Sequence, residues 1–139
     1  DQGPVLNNPI RNAEDVARLR PVTVEADLGY VLETVRTARQ MLAGTAPLIG
    51  FAGAPFTLAS YAIEGGGSRN YLRTKQLMHG RPDVWRALLD RLADVTIAYL
   101  RAQVRAGAQA VQLFDSWAGA LSPADYRQFA LPYSHRVLT

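Results

Sequence analysis

The side chains that stand out for chemistry are the hydroxyls of Thr57, Ser60, Tyr61 and Ser116 and the carboxylates of Glu64 and Asp115. Each set follows a segment that reads as a strand. Ligands of parallel α/β folds bind just beyond the carboxyl ends of the strands, so hydroxyls placed there can meet a ligand. Taken alone, Tyr61 reads as an aromatic of a helical core, and Ser116 as a turn residue or cap as much as a donor. Asp115 and Glu64 are the one pair of acids at strand-exit loops. A paired-carboxylate hydrolase would need such a pair; the plainer reading has Asp115 bonding backbone groups in its turn and Glu64 capping or pairing locally. Gly65, Gly66 and Gly67 lack the flanking pattern of a phosphate cradle and read as a flexible loop at a cleft. His79 closes a helix, where a cation suits the dipole, and His135 lies on the last helix. Neither has a neighbour at metal-ligand spacing. Trp117 reads equally as a cleft wall or as packing.

These residues need elements to hold them. Residues 48–52 (Leu-Ile-Gly-Phe-Ala) form a continuous apolar run, the pattern of a strand covered on both faces. Gly53 and Pro55 end it, and Pro55 suits the first turn of a helix because its missing N–H would have no partner there. A second strand is expected over 108–114, with 115–119 as its exit loop. Asn12 reads as the cap of a short helix with Glu14 and Asp15 in its first turn. A longer helix is expected over 24–43, capped by Thr23 or Asp27 and ended by Gly44, with Leu28, Val31, Leu32, Val35 and Leu42 on one face and Arg36 and Arg39 in solvent. A short helix over 70–79 precedes a strong one from Pro82 to Ala106, whose buried stripe is Trp85, Leu88, Leu92, Val95 and Tyr99. Ser122 and Pro123 start the last helix, which Pro132 should kink or split. Two strands separated by helices must lie parallel. Two alone cannot bury both faces, and a (β/α)8 barrel takes about 250 residues.

The chain has 139 residues, enough for one small core, and a net charge of +3. Lys75 is the only lysine, and the arginines are scattered, which argues against a nucleic-acid stripe. Cysteine is absent, excluding disulfides and thiolate chemistry in this chain and fitting a cytoplasmic protein. No run approaches the length of a membrane span, and residues 1–4 do not resemble a signal peptide. The chain starts without Met and is expected to begin inside a longer frame or after processing.

Two blocks carry a family resemblance. One is strand, G-A-P-F-T-L, Tyr61, then E-G-G-G-S; the other is A-G-A-Q-A-V-Q-L-F-D-S-W-A-G, continued by F-A-L-P-Y at 129–133. Both resemble signatures of uroporphyrinogen decarboxylase, in the family's order and separation, and the likeness spans essentially the whole chain. The resemblance implies an α/β fold in which 1–139 form the central part of one (β/α)8 (TIM) barrel domain, with the N- and C-terminal parts missing. It implies a carboxy-lyase that converts the four acetates of uroporphyrinogen to methyls, giving coproporphyrinogen in haem and chlorophyll synthesis, with no cofactor or metal and as a homodimer.

By that resemblance Tyr61 and Ser116 bind substrate, each hydroxyl donating to a carboxylate without adding permanent charge. No catalytic residue lies in this segment. The family's aspartate and its R-Q-A-G-R-Y arginines precede it, its C-terminal histidine follows it, and Asp115 matches only the acid within the F-[DE]-S block. The isolated chain is therefore expected to be inactive. Two other readings stand beside this one. A corrinoid or thiol methyltransferase on the same barrel would bind zinc through His and Cys. A non-catalytic truncated module would pair with another chain.

Overall fold

Backbone chemistry sets most of the element boundaries. The computed structural model describes residues 5–139. Asn12 caps α1 (Ala13–Ala17) by accepting the Asp15 amide at 3.0 Å, as its type requires. The helix expected over 24–43 is broken into α2 (Val24–Asp27) and α3 (Gly29–Leu42) at Leu28, whose φ of −126° and ψ of 20° are not helical. The Asp27 carboxylate turns back to accept the Thr23 amide at 2.8 Å and pairs with Arg20, which secures the start of α2. Gly29, a poor helix former, then restarts the helix. The strand β1 (Ile49–Gly53) leads into α4 (Pro55–Glu64), with Pro55 in the first turn as expected. Next come α5 (Leu72–Gly80) and α6 (Pro82–Ala106), then β2 (Ala110–Phe114), shorter at its start than the expected 108–114.

Ser122 caps the next segment, accepting the Asp125 amide at 3.1 Å. The kink expected near Pro132 takes a definite form. A turn of α7 (Pro123–Asp125) widens into a π-turn over Tyr126–Ala130 before α8 (Leu131–Leu138) resumes. Pro132 cannot donate to the preceding turn, so the ladder re-registers ahead of it.

The two strands pair in parallel, Ile49 opposite Ala110 through Gly53 opposite Phe114, so the chain is an α/β protein. One face of β1, carrying Gly50 and Ala52, is buried against α6. The other is not: Ile49 is 57% exposed and Phe51 60%, with Phe51 set edge-on to Phe114 at 5.8 Å. The expectation of cover on both faces is thus corrected. Among the described residues helices lie on one side of the sheet only.

β1 also has an outer edge, and Gln103 of α6 covers it. Its amide oxygen accepts the Phe51 N–H at 3.0 Å and its amide nitrogen donates to the Phe51 carbonyl at 2.9 Å. One buried side chain thereby supplies both bonds that a neighbouring strand would give to that residue. The close approach requires glycine at 50, since a Cβ there would stand 2.7 Å from the Gln103 oxygen and 3.1 Å from Ala108 Cβ.

The main core gathers Phe56, Ala59 and Ile63 of α4 with Met78 of α5 and Trp85, Leu88 and Leu89 of α6. A smaller cluster joins Val24 and Leu32 to Ala102 and Ala106, with Tyr99 packed against it. Arg39, expected in solvent, lays its stem over Gly107, where a Cβ would lie 3.2 Å from Arg39 Cγ. Arg36 pairs with Glu33 on the exposed side.

Candidate functional site

The site is built where the two strands end. The Ala54 amide donates to the Phe114 carbonyl at 2.7 Å, so the start of α4 is bonded directly to the last residue of β2. Thr57 then falls in the first turn of α4 and Tyr61 one turn later on the same face. From the other strand come Asp115, Ser116 and Trp117. The Thr57 hydroxyl donates to Asp115 Oδ1 at 2.8 Å and accepts the Trp117 N–H at 3.3 Å. The Trp117 indole stacks on the Tyr61 ring at 5.1 Å, 10° from parallel, and meets Tyr71 at 5.4 Å, tilted by 49°. Ser116 lies between Asp115 and Trp117 and is exposed. Tyr61 and Ser116, far apart in sequence, therefore sit at the same end of the sheet.

Other candidates fall elsewhere. Ser60, expected to present its hydroxyl beyond the strand, is fully buried on the core side of α4. Glu64 accepts both the Thr74 amide and the Thr74 hydroxyl at 2.9 Å, which anchors α5. It is a local structural acid, in line with its plainer reading. Among the described residues the Asp115 carboxylate bonds Thr57 of α4, where backbone groups of its own turn were expected. Gly65 ends α4 with a φ of +83°, and its carbonyl accepts the Leu6 amide at 2.8 Å. The glycine loop is thus tied at its first residue. His79 sits 3.7 Å from Asp125 and edge-on to Phe129. Of the two readings of Trp117, packing is the one its contacts show: it lies on Tyr61 and against the main core.

Burial raises the Asp115 carboxyl above the ordinary carboxylate range, partly offset by hydrogen bonds from Thr57. Its second oxygen, Oδ2, is buried and has no hydrogen-bond partner among the described residues. A raised acid binds its proton more tightly in the folded state. Its contribution to stability is present below the unfolded carboxyl value of about 3.9 and is lost as pH rises through the higher folded value. The stability of wild type minus that of Asp115→Asn, from urea midpoints across pH 3 to 7 (a range chosen to bracket about 3.9), should therefore fall with rising pH. A difference that is flat or rises contradicts the assignment.

Among the described residues no cluster of three or more His, Asp or Glu side chains is placed to hold a metal ion. No described helix is long and apolar enough to cross a membrane. The model of the family described as uroporphyrinogen decarboxylase (URO-D) matches residues 1–139. The chain belongs to the uroporphyrinogen decarboxylase family. It is 56% identical over 137 residues to the uroporphyrinogen decarboxylase of Carboxydothermus hydrogenoformans, covering 99% of this chain and 39% of that protein. Identity to the uroporphyrinogen decarboxylase of Salinispora tropica is 61% over 136 residues, 98% of this chain and 36% of the relative. For the Streptomyces coelicolor enzyme of that name the figures are 60% over 135 residues, 97% and 38%. The chain thus spans little more than a third of the length of these curated relatives.

Within the family frame the rim contains more than the two hydroxyls read from the motifs. Thr57 and Tyr71 were not singled out as partners of Trp117. The signal available in sequence was the placement of Thr57 four residues before Tyr61, which puts both on one helical face. A paired-carboxylate hydrolase gains no support from this arrangement, since Glu64 is committed to Thr74, and the family match does not favour a methyltransferase.

Proposed function

We propose that the whole protein, of which this chain is a part, is a carboxy-lyase that removes carbon dioxide from the four acetate side chains of uroporphyrinogen and yields coproporphyrinogen in porphyrin synthesis. The observation that carries the reading is the family match along the full 139 residues. In this reading the chain is the central part of one (β/α)8 barrel. The exposed Ile49 and Phe51 support that view, because an apolar strand face needs further strands or a ligand-filled lumen to cover it. The whole protein is then a cytoplasmic homodimer.

Protonation of a pyrrole carbon makes the ring an electron sink. The bond to the carboxylate carbon breaks toward the ring, carbon dioxide leaves, a second proton completes the methyl, and the ring carbon releases the first proton to restore the pyrrole. This chemistry asks the protein to hold a polyanionic macrocycle, orient one acetate and stabilise cationic character in the ring. Tyr61 and Ser116 supply neutral donors for that hold. They bind and orient, while the acid partner of the pyrrole N–H groups and the carboxylate-binding arginines come from outside this chain.

Full-length protein should convert uroporphyrinogen to coproporphyrinogen, measured by chromatography of the oxidised porphyrins. The isolated 139-residue chain should give no turnover above the buffer rate. An inactive full-length protein would overturn the reading, and full activity in the isolated chain would overturn the placement of the catalytic groups outside it.

A further inference from the structure

The rim side chains have to be held relative to one another, and one residue does most of the tying. Thr57 is on α4 and its two partners are on the loop after β2, nearly sixty residues away in sequence. A hydroxyl has one proton and can accept as well as donate. At Thr57 the proton goes to Asp115 Oδ1 at 2.8 Å, which leaves the oxygen to accept the Trp117 amide at 3.3 Å. The direction of the first bond fixes that of the second. Trp117 is thereby located along the rim, and its indole in turn lies flat on Tyr61 and against Tyr71, the residue that precedes α5. Ser116 is flanked on both sides by the two residues bonded to Thr57.

We propose that Thr57 is a positioning residue of the tetrapyrrole site: its hydroxyl latches the Asp115–Trp117 loop to α4, and the indole so placed sets the phenol of Tyr61 and the hydroxyl of Ser116 at fixed positions for the substrate. This rests on the function proposed above. Thr57 itself contacts no substrate in this account. It acts through Asp115 and Trp117, and its value is geometric, because a binding group displaced by about 1 Å can cost on the order of a hundredfold in rate.

The latch has a signature independent of catalysis. The Trp117 amide is protected by a side chain, not by a helix or strand ladder, so removing that acceptor should free this amide while leaving its neighbours in β2 unchanged. The experiment compares full-length wild type, Thr57→Val, which keeps the shape and loses the hydroxyl, and Thr57→Ser, which restores it. Hydrogen exchange is read on the peptide covering 115–121, together with kcat and KM for uroporphyrinogen. The expected result is faster exchange in that peptide and a fall in kcat/KM of about tenfold or more for valine, with both returned to near wild type by serine. Thr57→Ala gives the same readout where valine does not yield folded protein. Unchanged exchange in the valine variant overturns the latch. Faster exchange with unchanged kinetics overturns its positioning role and leaves the proposed activity standing. If wild type itself does not turn over, the activity reading fails, and exchange alone still decides the latch.

Discussion

Replacing Gln103 with leucine is expected to destabilise the fold by about 2–6 kcal/mol, because two part-buried backbone groups lose their partners at once at roughly 1–3 kcal/mol each. Gln103 is buried, and both atoms of its amide are used, one on the Phe51 N–H and one on the Phe51 carbonyl. Leucine is of similar size and cannot answer either group. The penalty should appear as a lower urea midpoint of the 139-residue chain, in which Gln103 is what meets this edge of β1. Gly50→Ala should be costly for the coupled reason that its Cβ would meet the Gln103 oxygen at 2.7 Å. The double variant should therefore lose less than the sum of the single losses, since residues in contact do not add. If Gln103→Leu shifts the midpoint by less than about 1 kcal/mol, the clamp does not hold the strand edge.

Tyr61→Phe in the full-length protein is expected to lower kcat/KM for uroporphyrinogen by about ten- to a hundredfold, since a hydrogen bond to a charged group contributes roughly 1.5–3 kcal/mol. The variant is informative because it keeps the aromatic ring. The ring still stacks on Trp117 at 5.1 Å, and only the phenolic oxygen is removed. A large kinetic effect with an unchanged urea midpoint points to substrate binding. An effect on stability with kinetics intact points instead to the aromatic core role that the sequence alone suggested.

The elements were legible where local chemistry decides them. Asn12 and Ser122 cap as their types demand, Pro55 opens α4, and both strands lie where the apolar runs place them. The fold departs from the sequence pattern where distant groups intervene. Gln103 sits on a helix of alternating character and reads as a surface polar residue until Gly50 and Phe51 are brought against it. The break at Leu28 and the π-turn before Pro132 are re-registrations that periodicity does not encode. Ile49 and Phe51 read as doubly covered, which reflects their composition and not the single helical layer that packs here.

At the rim, the hydroxyl-bearing residues were visible as strand-exit positions, and the family motifs singled out two of them. The bond between Thr57 and Asp115 was not visible, because it links residues 58 apart in sequence. Ser60 illustrates the opposite error. It lies one residue before Tyr61, and the 100° step of a helix turns it into the core.

A crystal structure of the full-length protein with coproporphyrinogen bound tests the substrate site most directly. The expected result is a macrocycle at the carboxyl end of the sheet, with the Tyr61 and Ser116 oxygens each about 3 Å from one of its polar groups. A macrocycle seated at the other end of the strands, or one that both oxygens face away from, would contradict it.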